Sequence, residues 1–362
     1  MSRPMVNPKD YTAVDVPAGT SGDSRTSRKA ANDPMRRFAP CPHITDLPAA
    51  GRTVRLETNS PRLLHHMVEL FACYPRTPNK SPEFLWRLVL QSDSADGPPW
   101  PRRSTFSDEG SRFAQFGQRN YLAVDLEDRE AVGFISEALF EDAHGFTSPF
   151  IDTLFYMTAG ALGLVPFGAA CVRSGTNALL VLGAQNQGKT TASYLAAQDG
   201  LTLHADQSVF LEIVNHKLCA WSDFVPLAFR PETLHHLPQL RSRTRPFSYC
   251  DFSFYYMPKE QTSTDQRCHV TPTCCVILER GASPVPRLEA LAASDLPRYL
   301  SDHIAFKDDR QFEEQQQQIV AALARLPVCR LAYDSNPATA APFFRLLLSQ
   351  HGRLSRSKTE GR

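Results

Sequence analysis

The residues with the most specific chemical pattern occupy positions 183–190. They read Gly-Ala-Gln-Asn-Gln-Gly-Lys-Thr and fit G-x-x-x-x-G-K-[S/T] at every fixed position. The two glycines let the backbone turn tightly, so that its N–H groups point at phosphate oxygens. The lysine carries a mobile positive charge for the β- and γ-phosphates, and the threonine hydroxyl is a ligand for Mg²⁺. The segment predicts a nucleoside triphosphate site.

The sequence on both sides of this segment predicts the local structure that a phosphate-binding loop requires. The apolar run 178–182 favours a strand that enters the loop, and helix formers follow from Lys189. The positive N-terminal end of such a helix attracts phosphate. The alternative is a glycine-rich turn that binds nothing, which has no need of a Lys-Thr pair at this place. We expect the nucleotide to contact Gly183, Ala184, Gln185, Asn186, Gln187, Gly188, Lys189, Thr190 and Thr191.

A carboxylate follows the loop at Asp206, where the apolar stretch 201–205 ends. The carboxyl end of a neighbouring strand is where an α/β site places a magnesium ligand or a general base. Asp206 is therefore predicted to hold Mg²⁺ together with Thr190 and to activate the acceptor. The alternative is a solvated turn aspartate. His204 shares a strand face with Asp206 and is either a proton-relay partner or a residue at the edge of the core.

The elements around the loop predict an α/β core with a mixed sheet over residues 151–350. Periodicity indicates helices at 151–164, 189–200 and 312–326, and strands at 168–175, 177–184, 201–214, 273–280 and 328–334.

Residues 51–150 are expected to form a small α+β domain of unknown role. Strands are predicted at 52–58 and 120–128, a helix capped by Ser60 between them, and a loop at 92–113. The first 50 residues are expected to be a disordered tail, and the last 12 to be a basic tail.

Composition limits the classes of partner. The 362 residues include 39 Lys and Arg and 38 Asp and Glu, so a net charge of +1 gives no reason to expect a nucleic acid or an acidic membrane as partner. The nine cysteines include no C-x-x-C pair, and the N-terminus lacks the apolar core of a signal peptide. We therefore expect reduced thiols and a cytoplasmic protein.

Three further segments allow two interpretations each. The uncharged stretch 153–172 is long enough to span a membrane, but its glycines and Pro166 favour a buried helix followed by a strand. Cys268, His269, Cys274 and Cys275 have the wrong spacing for zinc and are expected to be ordinary thiols and an imidazole. The arginines and aromatic residues of 241–256 could bind a phosphorylated or nucleic-acid partner, and we favour a loop over the active site.

Residues 150–350 resemble the HPr kinase/phosphorylase-like family, whose core is related to phosphoenolpyruvate carboxykinases. The resemblance is carried by 151–191, by LTLHADQSVFLEI at 201–213, by LPVCRLAYD at 326–334 and, more weakly, by Phe229-Arg230-Pro231. It implies a P-loop core like the HPr kinase C-terminal domain, ATP with Mg²⁺, and transfer of the γ-phosphoryl group to a hydroxyl. It also makes Arg230 a catalytic candidate that neutralises charge, beside Lys189 and Asp206, and a homo-oligomer possible.

The sequence departs from the family at two places. The family's Asp-Asp pair is Asp206-Gln207 here, and the stretch 166–170 lacks the histidine that often stands there. A glycine-rich segment for HPr is also missing, so HPr is not the expected acceptor. The favoured function is an ATP-dependent kinase acting on a small molecule or on a peptide or protein serine. The alternatives are a catalytically reduced nucleotide-binding switch or accessory protein, and a membrane-associated protein.

Overall fold

Seven strands form the first sheet, in the order β1-β2-β3-β7-β6-β5-β4. The computed structural model describes residues 40–77, 80–92, 97–108, 110–249, 252–258, 269–291, 296–306 and 310–359. Only the β2–β3 and β3–β7 pairs are parallel. The strands are β1 His43–Ala49, β2 Arg52–Thr58, β3 Phe84–Gln91, β4 Ser104–Asp108, β5 Ser111–Phe116, β6 Asn120–Asp125 and β7 Glu130–Ser136.

Helix α1, Pro61–Phe71, begins where the sequence predicts. The Ser60 hydroxyl accepts a hydrogen bond from the Leu63 amide, which satisfies one of the free N–H groups of the first turn. Leu63, Met67, Leu70 and Phe71 recur at helical spacing and are buried against the sheet. The predicted strand at 52–58 and this helix are confirmed.

Two predictions in this part are wrong. The predicted tail extends to residue 50, but β1 pairs antiparallel with β2 along its whole length; residues 1–39 lie outside the described chain. The predicted loop 92–113 contains β4 and the first half of β5, which pair as a hairpin. The composition of β4 misleads because an edge strand with every residue exposed needs no apolar alternation.

A chain of short helices follows the first sheet. It consists of α2 Glu137–Glu141, α3 Ala143–Gly145, a π-helix at Phe146–Ile151 and α4 Asp152–Ala159. The predicted helix 151–164 ends early, at Ala159, because glycines follow and Gly163 has a φ of +74°. Within the described ranges, no helix is both long and apolar enough to cross a membrane.

The second sheet has six strands in the order β11-β9-β10-β17-β19-β18, and its central β10, β17 and β19 are parallel. Two three-stranded antiparallel sheets flank it, β13-β12-β8 and β14-β16-β15. The strands are β8 Val165–Phe167, β9 Ala170–Ser174, β10 Asn177–Leu182, β11 Thr202–Ala205, β12 Val209–Val214, β13 Lys217–Ser222, β14 Ala228–Phe229, β15 Arg245–Tyr249, β16 Phe252–Tyr256, β17 Thr271–Arg280, β18 Arg287–Ala290 and β19 Val328–Tyr333.

Helices cover both faces of the six-stranded sheet, which makes the chain a mixed α/β fold. One apolar cluster joins the sheet to α5 and α9, and another joins it to α7 and α8. Most of the predicted basic tail at 351–362 forms the end of helix α9. The helices are α5 Lys189–Gln198, α6 Pro231–His236, α7 Leu296–Ser301, α8 Glu313–Leu323 and α9 Ala341–Thr359.

The strand predicted at 201–214 is two strands in two sheets. β11 pairs with β9 in the six-stranded sheet, whereas β12 pairs with β13 and β8. The chain changes sheets at 206–208, which places Asp206 directly after β11.

The predicted boundary at residue 150 does not divide the hydrophobic core. A single apolar cluster contains residues of the first sheet together with Phe210 and Trp221 of β12 and β13. The Arg52 guanidinium donates to the Glu212 carboxylate at 2.6 Å, and the Tyr74 hydroxyl donates to the Ser222 carbonyl at 2.6 Å. The first sheet therefore packs directly on the hairpin that follows Asp206.

Candidate functional site

The loop between β10 and α5 has a backbone that only glycine fits at two positions. Gly188 has a φ of +79°, and a Cβ there would lie 2.5 Å from the Tyr333 hydroxyl oxygen. Gly183 has a φ of +141°, and its Cβ would lie 3.0 Å from the Leu278 carbonyl oxygen. Both glycines of the sequence pattern are thus needed for the close approach of the loop to β17 and β19.

The ends of the two parallel strands hold the loop in place. The Tyr333 hydroxyl donates to the Gln187 carbonyl at 2.6 Å, and the Arg280 amide donates to the Gln187 side-chain oxygen. Burial raises the pKa of Tyr333 to about 12, so its hydroxyl keeps the donated proton at neutral pH. These anchors fix the loop before any ligand binds, which lowers the entropy cost of binding.

Lys189 extends along the inside of the loop. Its Nζ donates to the carbonyls of Gly183 at 2.6 Å and Ala184 at 3.1 Å. Burial lowers the pKa of Lys189, and the carboxylate of Asp206 opposes that effect. The cation thus lies at the start of the loop, within the electrostatic reach of Asp206.

Asp206 faces the first turn of α5. The Thr190 hydroxyl donates to its Oδ2 at 3.1 Å, and Oδ1 is buried without a hydrogen bond to any described group. The side chain is 5% exposed, and burial raises the pKa of Asp206 to about 7. Asp223 raises this pKa further, whereas Thr190 and Lys189 lower it. Lys189, Thr190 and Asp206, which are predicted to act on phosphate and metal, are therefore neighbours.

Asp223 is a buried carboxylate that the sequence reasoning missed. It follows β13, is 3% exposed, and accepts a hydrogen bond from the Ser208 amide at 3.3 Å. Its only sequence signal is its position at the end of the strand that pairs with β12. His204 lies in the core, with Nε2 3.1 Å from the Ala220 carbonyl oxygen, as the core-edge interpretation expects.

A cleft of about 560 Å³ opens along the loop. Its second wall is formed by β14, α6 and β16, and the Thr191 and Thr233 hydroxyls lie 3.3 Å apart where α6 meets α5. Gly183 and Ala184 frame the loop without lining the cleft. The cleft is lined by Gln185, Asn186, Gln187, Gly188, Lys189, Thr190, Thr191, Asp206, Gln207, Ala228, Phe229, Arg230, Glu232, Thr233, His236, Phe254, Arg280 and Pro337.

The second wall brings Arg230 into the same cleft as Asp206 and Lys189. The Arg230 guanidinium carbon lies 5.5 Å from the centroid of the Phe254 ring, within the range of a cation–π contact. The loop favoured for 241–256 is instead largely the hairpin of β15 and β16, with β16 paired to β14. Alternating polar and aromatic residues here mark a partly exposed sheet.

Sequence reasoning also missed several residues of this wall. Glu232, Thr233 and His236 come from a helix of six residues, which is too short to show a clear period in the sequence. Phe254 and Arg280 come from strands whose place beside the loop depends on the sheet order. The available signal for Arg280 was a basic residue at the end of a predicted strand. That strand, β17, pairs with β10, which leads into the loop.

An imidazole lies beside the stretch 166–170, where the sequence itself lacks one. His303 Nδ1 is 3.0 Å from the Gly168 carbonyl oxygen, and the Gly168 amide donates to the His303 carbonyl at 2.7 Å. Burial lowers the pKa of His303, and the charge of Lys189 contributes in the same direction. A residue more than 130 positions away thus fills space beside this strand.

The other candidate sites show ordinary thiols. All seven cysteines in the described part of the chain are free. Cys274 and Cys275 are buried on β17, and burial raises both thiol pKa values, that of Cys274 to about 12. Cys268 lies outside the described residues. Among those described, no three His, Cys, Asp or Glu side chains are grouped to hold a metal ion.

The solved structures similar to this chain include a distant neighbour. No protein-family model matches the chain, and no curated protein matches it. The Hpr(Ser) kinase/phosphatase from Coxiella burnetii is similar over 54% of this chain and 94% of that chain, with 13% identity and a TM-score of 0.27. At that level of similarity, function has to follow from the site itself.

Proposed function

We propose that this protein is a Mg²⁺- and ATP-dependent phosphotransferase that moves the γ-phosphoryl group to a hydroxyl of a small molecule or of a peptide. The observation that carries the proposal is the contact between Thr190 and the buried Asp206, in a cleft that Lys189 and the loop amides also reach. Phosphoryl transfer depends on positioning and electrostatics, and this cleft places a cation, hydroxyl and carboxylate together.

The residues present fit a magnesium ion. Asp206 has a buried Oδ1 without a hydrogen bond to a described group, and the Thr190 hydroxyl lies 3.1 Å from its other oxygen. Carboxylate and hydroxyl oxygens are the hard ligands that Mg²⁺ prefers. Thr190 and Asp206 would hold the ion, which when bound neutralises charge on the β- and γ-phosphates.

The chain's own residues supply the other parts of the reaction. The loop amides and Lys189 bind the β- and γ-phosphates and neutralise part of their charge. The acceptor oxygen forms a bond to the γ-phosphorus as the bond to the β–γ bridging oxygen breaks, which releases ADP. The acceptor proton passes to a carboxylate, and in the base role that carboxylate is Asp206, which lines the cleft.

A second candidate function is a nucleotide-binding switch that no longer transfers phosphate. The specific observation is Gln207, which lines the cleft beside Asp206 where the resembling family has a second carboxylate. An amide there cannot accept a proton or balance a divalent cation. The switch and the kinase share one nucleotide site and differ only in turnover.

Lys189→Ala tests the nucleotide site. We expect calorimetry with Mg²⁺-ATP to show binding by the wild type and a loss of at least tenfold in the variant, because the charge on the β- and γ-phosphates loses its partner. Lys217→Ala, at an exposed position on β13, is the matched control and should bind as the wild type does. Equal binding by the Lys189 variant and the wild type would refute the assignment.

Asp206→Asn separates the roles of this carboxylate. With γ-labelled ATP and an extract of metabolites and peptides, the wild type should label an acceptor and the variant should lose that transfer by about 10²-fold or more. If Asp206 acts as the base, the variant keeps its ATP affinity with Mg²⁺. If Asp206 holds the metal, ATP affinity falls with Mg²⁺ present and is unchanged without it. ATP binding without a labelled product in the wild type identifies the switch.

A further inference from the structure

The cleft continues well beyond the phosphate-binding loop. Its volume of about 560 Å³ lies in the range of sites that enclose a whole small molecule. The loop and the first turn of α5 contribute fewer than half of its lining residues, and most of the others come from β14, α6 and β16. A triphosphate on the loop therefore contacts fewer than half of the lining residues, and the second wall faces the rest of the cleft.

The position of Lys189 indicates which end of a bound nucleotide lies at the start of the loop. A lysine at this position of the pattern reaches the β- and γ-phosphates. Its Nζ lies at the carbonyls of Gly183 and Ala184, so the γ-phosphate end is at the start of the loop. The α-phosphate then lies toward the first turn of α5, where Thr191 meets Thr233 of α6. The nucleoside must leave the loop along α6.

The surface that receives the nucleoside combines a ring with a cation. Phe254 and Arg230 both line the cleft, with the guanidinium carbon 5.5 Å from the ring centroid. His236 lines the cleft on the same side and is exposed. Aromatic rings and the guanidinium plane are the two protein surfaces on which nucleobases stack.

We propose that Phe254 and Arg230 form the subsite that binds the base of the nucleoside triphosphate. This inference rests on the proposed function, because it takes the phosphate end to be the 183–190 loop. It adds that the second wall recognises the base rather than the acceptor.

Inorganic tripolyphosphate isolates the phosphate end from the base end. We would measure the affinities of ATP and of tripolyphosphate by calorimetry with Mg²⁺, for the wild type and for Phe254→Leu. The variant should bind ATP about tenfold more weakly, as the loss of a stacking ring does, and bind tripolyphosphate within twofold of the wild type. Phe254→Trp keeps a stacking face and should restore ATP affinity. Phe106→Leu, at a phenylalanine 62% exposed on β4, is the control and should change neither affinity.

The outcomes distinguish the two proposals. ATP affinity that is unchanged in Phe254→Leu overturns the base subsite and leaves the phosphate site standing. Equal weakening of ATP and tripolyphosphate also overturns it, because Phe254 would then act by supporting the loop. A wild type that binds neither ligand refutes the proposed function together with this inference.

Discussion

Asp206→Asn should reduce the loss in free energy of unfolding that the protein shows as the pH rises. In the folded chain this carboxyl is buried, close to Asp223, and its pKa is raised from the ordinary 3.8 to about 7. The unfolded chain releases the proton at the lower value. Between the two values the folded state holds a proton that the unfolded state lacks, so the free energy of unfolding falls as pH rises. Asparagine cannot ionise, and it can still accept the hydrogen bond from Thr190.

The size of the effect follows from the difference between the two pKa values. Each tenfold change in proton affinity is worth 1.36 kcal/mol, so ionised Asp206 costs the folded state about 4 kcal/mol at alkaline pH. Roughly half of that cost, about 2 kcal/mol, develops between about pH 5.5 and about pH 8.5. The wild type should lose this amount over that interval relative to the asparagine variant.

Urea unfolding of both proteins at the two pH values measures the difference. Titratable groups that both proteins share contribute equally to both free energies of unfolding and cancel in the comparison. The measured quantity is therefore how much the difference in free energy of unfolding between the two proteins changes from the lower to the higher pH. Asp108→Asn, on the exposed edge strand β4, is the control and should leave the pH dependence of the wild type intact. If Asp206 holds the metal, Mg²⁺-ATP at the higher pH should narrow the difference in free energy of unfolding between the two proteins, because the ion stabilises the ionised carboxylate of the wild type.

Parallel stability profiles for the wild type and Asp206→Asn would refute the reasoning. They would mean that Asp206 ionises in the folded state as readily as in the unfolded chain. A wild type that loses stability relative to Asp206→Asn as the pH falls would also refute it, because that direction requires a carboxyl that the folded state stabilises in its charged form.

Two further predictions concern the loop and the core. Gly188→Ala should weaken tripolyphosphate binding at least tenfold and destabilise the fold by about 1–3 kcal/mol, because its Cβ meets the Tyr333 hydroxyl at a positive φ. Adding Tyr333→Phe should recover part of both losses. Tripolyphosphate affinity and stability equal to those of the wild type in Gly188→Ala would contradict the loop geometry. Arg52→Met should cost about 3–5 kcal/mol in urea unfolding, because it leaves Glu212 buried without its cation. The control Arg55→Met, which breaks an exposed pair, should cost less than about 1 kcal/mol, and similar losses in both variants would contradict the argument.

Local patterns in the sequence carry much of the fold and the centre of the site. The strand, glycine loop and helix at 177–198 follow from short-range rules, because tight turns need glycine and amphipathic periods are local. Helix α1 follows in the same way from Ser60 and the spacing of its apolar residues. Asp206 was predicted at a strand end, and it lies there.

The errors arise where tertiary pairing overrides local composition. The strand predicted at 201–214 breaks because its two halves join different sheets. The hairpin of β4 and β5 forms from polar residues because an adjacent strand, β6, supplies hydrogen bonds. The boundary at residue 150 fails because Phe210 and Trp221 complete the core of the first sheet.

The sequence by itself determined the strand, glycine loop and helix that carry Lys189 and Thr190, since glycine conformation and helix formation act within one short stretch of chain. Only the tertiary structure decided what faces that loop. Asp223 acts on the charge of Asp206, and Phe254 and Arg280 line the cleft, because the fold brings separate strands together here; no spacing along the chain records that meeting. The same folding buries Asp206, and burial rather than its neighbours in sequence is the main reason that its pKa lies near neutrality.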